Sequence, residues 1–187
     1  MARAARGVAA AAAALALVAC SGDGGGTDED PAIEGVSVYQ DLAHDHVQGD
    51  VTYDVSPPVG GPHSPVWLGC GVYTEAVPEE NVVHSMEHGA VWLAYDPALT
   101  ADDVQKLKNL HGLEPAYVVL SPYPGLPAKV VASTWGRQLK AESADDPRLA
   151  AFVKEYAGGD QGGEPGADCV RGATLEQLRS GSAPSMG

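Results

Sequence analysis

The sequence predicts an α+β fold, a single small domain in which an irregular Pro/Gly-rich N-terminal half precedes a β-α-β-β-α run. Three observations point there. Gly 23 and Pro 14 together make about a fifth of the 187 residues, too many turn formers for a helical bundle. Residues 90–95, AVWLAY, are a continuous apolar run of the length of a buried strand. Two later segments carry apolar residues at helical spacing between clear start and stop signals. Strands and helices that alternate in this way favour a small, mixed sheet.

The elements follow in chain order. Val51, Thr52 and Tyr53 make a short strand candidate. AVWLAY is the next strand. Thr100 then opens a helix with Asp103 as its capping-box partner, Val104, Leu107 and Leu110 recur on one face, and Gly112 stops it. Residues 116–120 and 129–134 are β-rich runs separated by Ser-Pro-Tyr-Pro-Gly. Asp146 caps a second helix with Pro147 in its first turn. Leu149, Phe152, Val153 and Tyr156 form its apolar face, and Gly158-Gly159 ends it. Residues 174–179 fit one further helical turn.

The first twenty residues read as an address. Arg3 and Arg6 make a basic start, and the twelve residues 8–19 are an unbroken run of Val, Ala and Leu. That is short of the ~20 needed to span a bilayer and fits the apolar core of a secretory signal. The run ends in Leu17-Val18-Ala19-Cys20, which looks like a bacterial lipobox. Cys20 is therefore the candidate lipidation site and residues 1–19 the signal peptide; the alternative is an ordinary secretory signal cleaved near Ala19. Residues 20–35 then form a flexible acidic tether, too poor in apolar residues to fold. Residues 36–157 are the globular domain. Residues 158–187 are a polar C-terminal extension, partly docked through Cys169. The expected location is the outer side of the cell membrane, lipid-anchored and extracytoplasmic.

Eleven Lys+Arg against 25 Asp+Glu leave a formal charge of −14, which becomes −16 once Arg3 and Arg6 leave with the signal. This balance argues against nucleic acid as a partner, because a phosphate backbone needs clustered cations. Anionic headgroups repel such a domain, so the membrane is expected as a partner through acyl chains only. A protein partner stays open. With Cys20 acylated, Cys70 and Cys169 remain. Outside the cytoplasm two such cysteines form a disulfide more often than they stay free. The rival role for Cys70 is a thiolate metal ligand.

Five of the six histidines, His44, His46, His63, His84 and His88, lie between residues 44 and 88. Imidazole is the commonest transition-metal ligand, so the cluster is the most informative feature of the chain. His84-Ser85-Met86-Glu87-His88 has the H-x-x-E-H form of some zinc proteases. On a helix over residues 79–88, His84 and His88 share a face with Glu87 beside them. Gly89 and AVWLAY follow at once, which puts the motif at a helix end and weighs against a protease. Met86 points elsewhere on that helix and reads as core. His63 ends the stiff loop PPVGGPH, which either presents its ring or ties it to a carbonyl. His44-Asp45-His46 either chelates, as possible additional ligands, or is solvated. His111 sits at a helix end and is assigned no role. The expected metal ligands are His63, His84, Glu87 and His88, a set that suits Zn or Cu better than Ca or Mg.

Tyr53, PPVGGPH at 57–63, Trp67, GCGVY at 69–73 and VHSMEHGAVWLAY at 83–95 resemble a bacterial family of unknown function, the domain-of-unknown-function family 3105. The likeness extends through SPYPGLP, VASTWG and DDPRL and covers about residues 36–170. It implies one domain and a common site, with His63, His84, Glu87, His88 and, less directly, His46 on signature positions. Cys70 and Cys169 match cysteines that similar members carry. It implies no activity.

Three functions compete. The first is an extracytoplasmic metal-binding domain for Zn or Cu. The second is a non-catalytic interaction or assembly domain, with the His/Glu cluster as a structural hydrogen-bond network. The third is a metal-dependent hydrolase with Glu87 as base. The balance leans away from an enzyme.

Overall fold

The computed structural model describes Met1, Asp28, Glu29, residues 32–164, 166–167 and 169–183. The expected signal peptide and Cys20 lie outside these residues. The described strands are β1 (Asp28–Glu29), β2 (Val36–Val38), β3 (Gly71–Val72), β4 (Val91–Tyr95), β5 (Val118–Pro122), β6 (Val130–Thr134) and β7 (Arg137–Ala141). The helices are α1 (Glu79–Glu87), α2 (Ala101–His111), α3 (Pro147–Tyr156) and α4 (Leu175–Ser180). Together they form an α+β domain around one mixed sheet, ordered β1-β2-β7-β6-β4-β5-β3.

Strand β4 is central, parallel to β5 and antiparallel to β6. Its side chains alternate between two covered faces. Val91, Leu93 and Tyr95 meet Leu107 of α2 and Leu149, Phe152 and Val153 of α3. Trp92 and Ala94 meet Val82, Val83 and Met86 of α1 on the other face. Burial on both faces is why AVWLAY reads as unbroken apolar sequence. The expected caps form: Thr100 Oγ1 accepts from the Asp103 amide at 3.2 Å, and Asp146 Oδ1 from the Arg148 amide at 2.9 Å. Met86 is fully buried in the core, as its helix position suggests.

The structure corrects four expectations. Residues 51–53 are not a strand: the Val51 amide donates to Glu80 Oε1 at 3.0 Å and the Tyr53 hydroxyl to the Pro62 carbonyl at 2.9 Å, so this segment packs on α1 and the proline loop. Strand β7 was not expected, and the run is therefore β-α-β-β-β-α. Arg-Gln-Leu-Lys-Ala has helix-forming composition, but the tight Trp135-Gly136 turn folds it back antiparallel onto β6. Strand β2 was also not expected and pairs antiparallel with β7. Finally, the stretch read as a tether contributes Ile33, 7% exposed, to the core and an edge strand β1 to the sheet.

The C-terminal extension is tied to the other half of the chain. Cys70 and Cys169 form a disulfide with Cα atoms 5.3 Å apart. Cys70 is therefore not a thiolate ligand. Beside it, the Gly69 amide donates to the Ala173 carbonyl at 3.0 Å and the Ala173 amide to the Trp67 carbonyl at 2.9 Å. A Thr174/Gln177 capping box opens α4. Among the described residues no helix is long and apolar enough to cross a membrane.

Candidate metal centre

Helix α1 is only nine residues long and lacks a side-chain N-cap. A free helix of that length is marginal in water. Tertiary contacts hold it instead. Asn81 Nδ2 donates to Ser64 Oγ at 3.0 Å, Ser85 Oγ donates to the Leu68 carbonyl at 2.6 Å, and the Leu68 amide donates to the Asn81 carbonyl at 3.0 Å. Residues 64–68 are thereby clamped along α1. This clamp sets His84, whose Nδ1–H donates to the Ser64 carbonyl at 2.7 Å. A carbonyl can only accept, so His84 carries its proton on Nδ1 and leaves a lone pair on Nε2. The ring is 4% exposed, and burial pushes its pKa down to about 4, with His88, His63 and His46 adding to the effect against the Ser64 bond. Its Nε2 has no hydrogen-bond partner among the described residues.

The PPVGGPH loop delivers His63 in the same way. Gly60 has φ +140°, and a Cβ there would stand 2.8 Å from Leu42 Cδ1 and 3.2 Å from the Trp135 ring. Only glycine lets the loop lie this close to Trp135. His63, fully buried, donates Nδ1–H to the Gly61 carbonyl at 2.8 Å and turns Nε2 to Glu87 Oε2 at 3.0 Å. The two sequence readings of His63, presented ring and carbonyl-bonded ring, hold together: one nitrogen is anchored and the other is offered.

His46 arrives by backbone pairing. The His63 amide donates to the Asp45 carbonyl at 2.9 Å and the Val47 amide to the His63 carbonyl at 2.7 Å. This short bridge places His44 and His46, each about half exposed, beside Glu87. His46 Nε2 lies 3.8 Å from Glu87 Oε2, and its ring stacks on His84 with centroids 4.8 Å apart. His44 Nδ1 donates to Glu87 Oε1 at 2.5 Å, and its ring stacks on Trp135 with centroids 4.3 Å apart. Trp135 belongs to the β6–β7 turn, so the hairpin hidden from sequence reasoning supplies one wall of the site.

His46, His63, His84 and Glu87 each offer a ligand atom within 4.8 Å of the others. Atoms bound to one tetrahedral zinc at ~2.0–2.2 Å sit roughly 3.3 Å apart. The 3.0 and 3.8 Å contacts about Glu87 Oε2 bracket that spacing. The site residues expected from sequence thus divide. His63, His84 and Glu87 come together, joined by His46, while His44 holds Glu87 from outside the group. His88 stands elsewhere. It caps α1 at φ −80°, ψ 10°, meets the Trp67 ring at 4.6 Å between centroids, and places Nε2 3.0 Å from Glu164 Oε2. Burial pushes its pKa down, with Glu164 and Glu87 opposing. Glu164 was not anticipated; an exposed acid in a Gly-rich stretch gives no sequence signal of its own.

The model of the family described as "Protein of unknown function (DUF3105)" matches residues 44–171. The chain belongs to this family. The matched span in this DUF3105 member starts at His44 and includes every residue of the cluster and both disulfide cysteines. No curated protein and no solved structure matches the chain.

Proposed function

We propose that this DUF3105 domain binds a transition metal, Zn(II) or Cu(II), through His46, His63, His84 and Glu87. One observation carries the reading. His63 and His84 are buried, each donates Nδ1–H to a backbone carbonyl and so keeps an Nε2 lone pair for a ligand, and His63 turns its Nε2 to Glu87. Metal-bound histidines are held in this way, with the far nitrogen bonded to a carbonyl or carboxylate that fixes the tautomer. His44 does the same for the carboxylate by holding Oε1. Three imidazoles and one carboxylate are borderline donors, suited to Zn(II) or Cu(II) rather than Ca(II) or Mg(II). The ion would supply the positive charge between lone pairs that face one another.

The structural-network reading draws support from the contacts that His44 and His63 make with Glu87. It leaves His84 Nε2 without a protein partner among the described residues, a lone pair that a metal would engage. The hydrolase reading needs Glu87 as a free base, yet both its oxygens face histidines. The disulfide fits an oxidising, non-cytoplasmic environment. Anchoring by lipid at Cys20, on the outer side of the membrane, belongs to the same proposal and rests on the signal-like residues 1–20.

Calorimetric titration of the demetallated chain tests the metal. We expect saturable binding of one ion per chain, weakened by Glu87→Gln by at least the roughly 10–100-fold that losing an outer partner costs. Wild-type protein that binds neither Zn(II) nor Cu(II) would return the cluster to the structural network.

A further inference from the structure

His84 belongs to a second group of potential ligands. With His88 and Glu164 it again offers donor atoms that all lie within 4.8 Å of one another. His84 has only one free nitrogen, because Nδ1 is bonded to Ser64. The two groups therefore share a single lone pair and cannot both be filled. They differ in what they show to solvent. Each has one exposed member: in the first it is the His46 imidazole, 46% exposed, and in the second the Glu164 carboxylate, 50% exposed, which carries the charge that draws a cation. They also differ in completeness: the first supplies four donors, the second three, which leaves an open position as exchangeable sites do. Between them stands the His84 ring, stacked on His46 at 4.8 Å and edge-on to His88 at 4.7 Å between centroids.

We propose that His84, His88 and Glu164 form an exchange site through which a divalent transition-metal ion enters and leaves the four-donor centre. The inference rests on the metal-binding reading above. An incoming hydrated cation meets the Glu164 carboxylate first, exchanges water for His88, and is passed on as His84 keeps its bond while His63, His46 and Glu87 replace the outer pair. His84 gives up no proton, because its lone pair is already at the shared nitrogen. At His88 the proton that Nε2 directs at Glu164 shifts to Nδ1, which has no other partner among the described residues, as the ion takes the Nε2 lone pair, and no electron changes hands. The open position of the outer site is where a chelator or an accepting protein's ligand would attack. Glu164 is brought there by residues 158–164, which cross the end of α1. Gly162 lies against the Glu87 carbonyl so closely that a Cβ would overlap it, and the Gly158 amide donates to the Gly89 carbonyl at 2.9 Å.

The test compares rates with affinity, using the full chain and Cu(II). Copper uptake is followed by quenching of tryptophan fluorescence, and release by transfer to excess EDTA. Glu164→Gln removes the exposed charge and leaves the four-donor centre intact. Uptake and release should both slow by roughly tenfold or more while the equilibrium Kd stays at the wild-type value, since a residue on the path alters both directions equally. His88→Ala should do the same; should that buried substitution unfold the chain, Glu164→Gln alone decides. Wild-type rates in Glu164→Gln would overturn the proposal and place entry at the half-exposed His46 side. A Kd weakened as much as uptake is slowed would also overturn it, making Glu164 an equilibrium ligand. Wild-type protein that binds no Cu(II) or Zn(II) would overturn the metal reading itself, an outcome distinct from both.

Discussion

Glu87 is 4% exposed and has His44 on one oxygen and His63 and His46 on the other. Of these rings His63 is set by the Gly61 carbonyl, while His46 and His44 are placed by the backbone bridge to His63 and by stacking on His84 and Trp135, so the path of the chain determines where the rings stand. Gly60 is where that path is most constrained. A side chain there would meet Trp135 and Leu42 and would also be strained at φ +140°. Gly60→Ala should destabilise the fold by about 1–3 kcal/mol, the usual cost of one strained backbone position. It should also weaken metal binding, because the loop that moves is the one holding His63. Denaturant unfolding and calorimetry on the same variant check both effects; a variant with wild-type stability would contradict the packing described here.

At the scale of elements, α1 concentrates the titratable groups. Burial depresses the pKa of His84 to about 4 and lowers that of His88. The unfolded chain protonates its imidazoles near 6.5. Between these values the unfolded state binds more protons than the folded one, so stability rises with pH. The metal-free domain should therefore hold constant stability above about pH 6.5 with respect to these groups and lose it as the pH falls toward 4. Urea unfolding at pH 7 and pH 5 measures this; equal midpoints would contradict it. The same helix shows how far the sequence is legible. His84 and Glu87 were readable from spacing alone, and so were the caps of α2 and α3. Spacing did not tell which donors would complete the set. Glu87 and His88, three and four residues after His84, lie to opposite sides of its row on the helix, at about −60° and +40°. Only the long-range placement of His63 and His46 selects the Glu87 side. Likewise β7 and its Trp135 wall were hidden, because Arg-Gln-Leu-Lys-Ala carries helical preference and the pairing with β6 overrides it.

Across the whole molecule, the sheet with α2 and α3 is a conventional frame, and the candidate metal centre lies on the opposite face, built from α1, the proline loop and residues 44–46. Few regular elements support that half. The disulfide, 99 residues apart in sequence, fastens the C-terminal segment to the strand before α1, and residues 158–164 then reach the site. The proposed lipid anchor would sit at the far end of the chain from this segment. Labelling of cells with a clickable fatty acid should mark the wild-type protein and not Cys20→Ala; equal labelling of the two would contradict anchoring there. The central claim concerns ring nitrogens, and they can be observed individually. Two-bond proton–nitrogen correlation spectra of the histidines, recorded on demetallated protein before and after one equivalent of Zn(II), test it most directly. The account predicts that His63 and His84 carry the proton on Nδ1 throughout, that Nε2 of His46, His63 and His84 shifts on addition of zinc, and that His111 does not change. Unshifted Nε2 signals at His63 and His84, or a proton resident on Nε2 of His84, would contradict it.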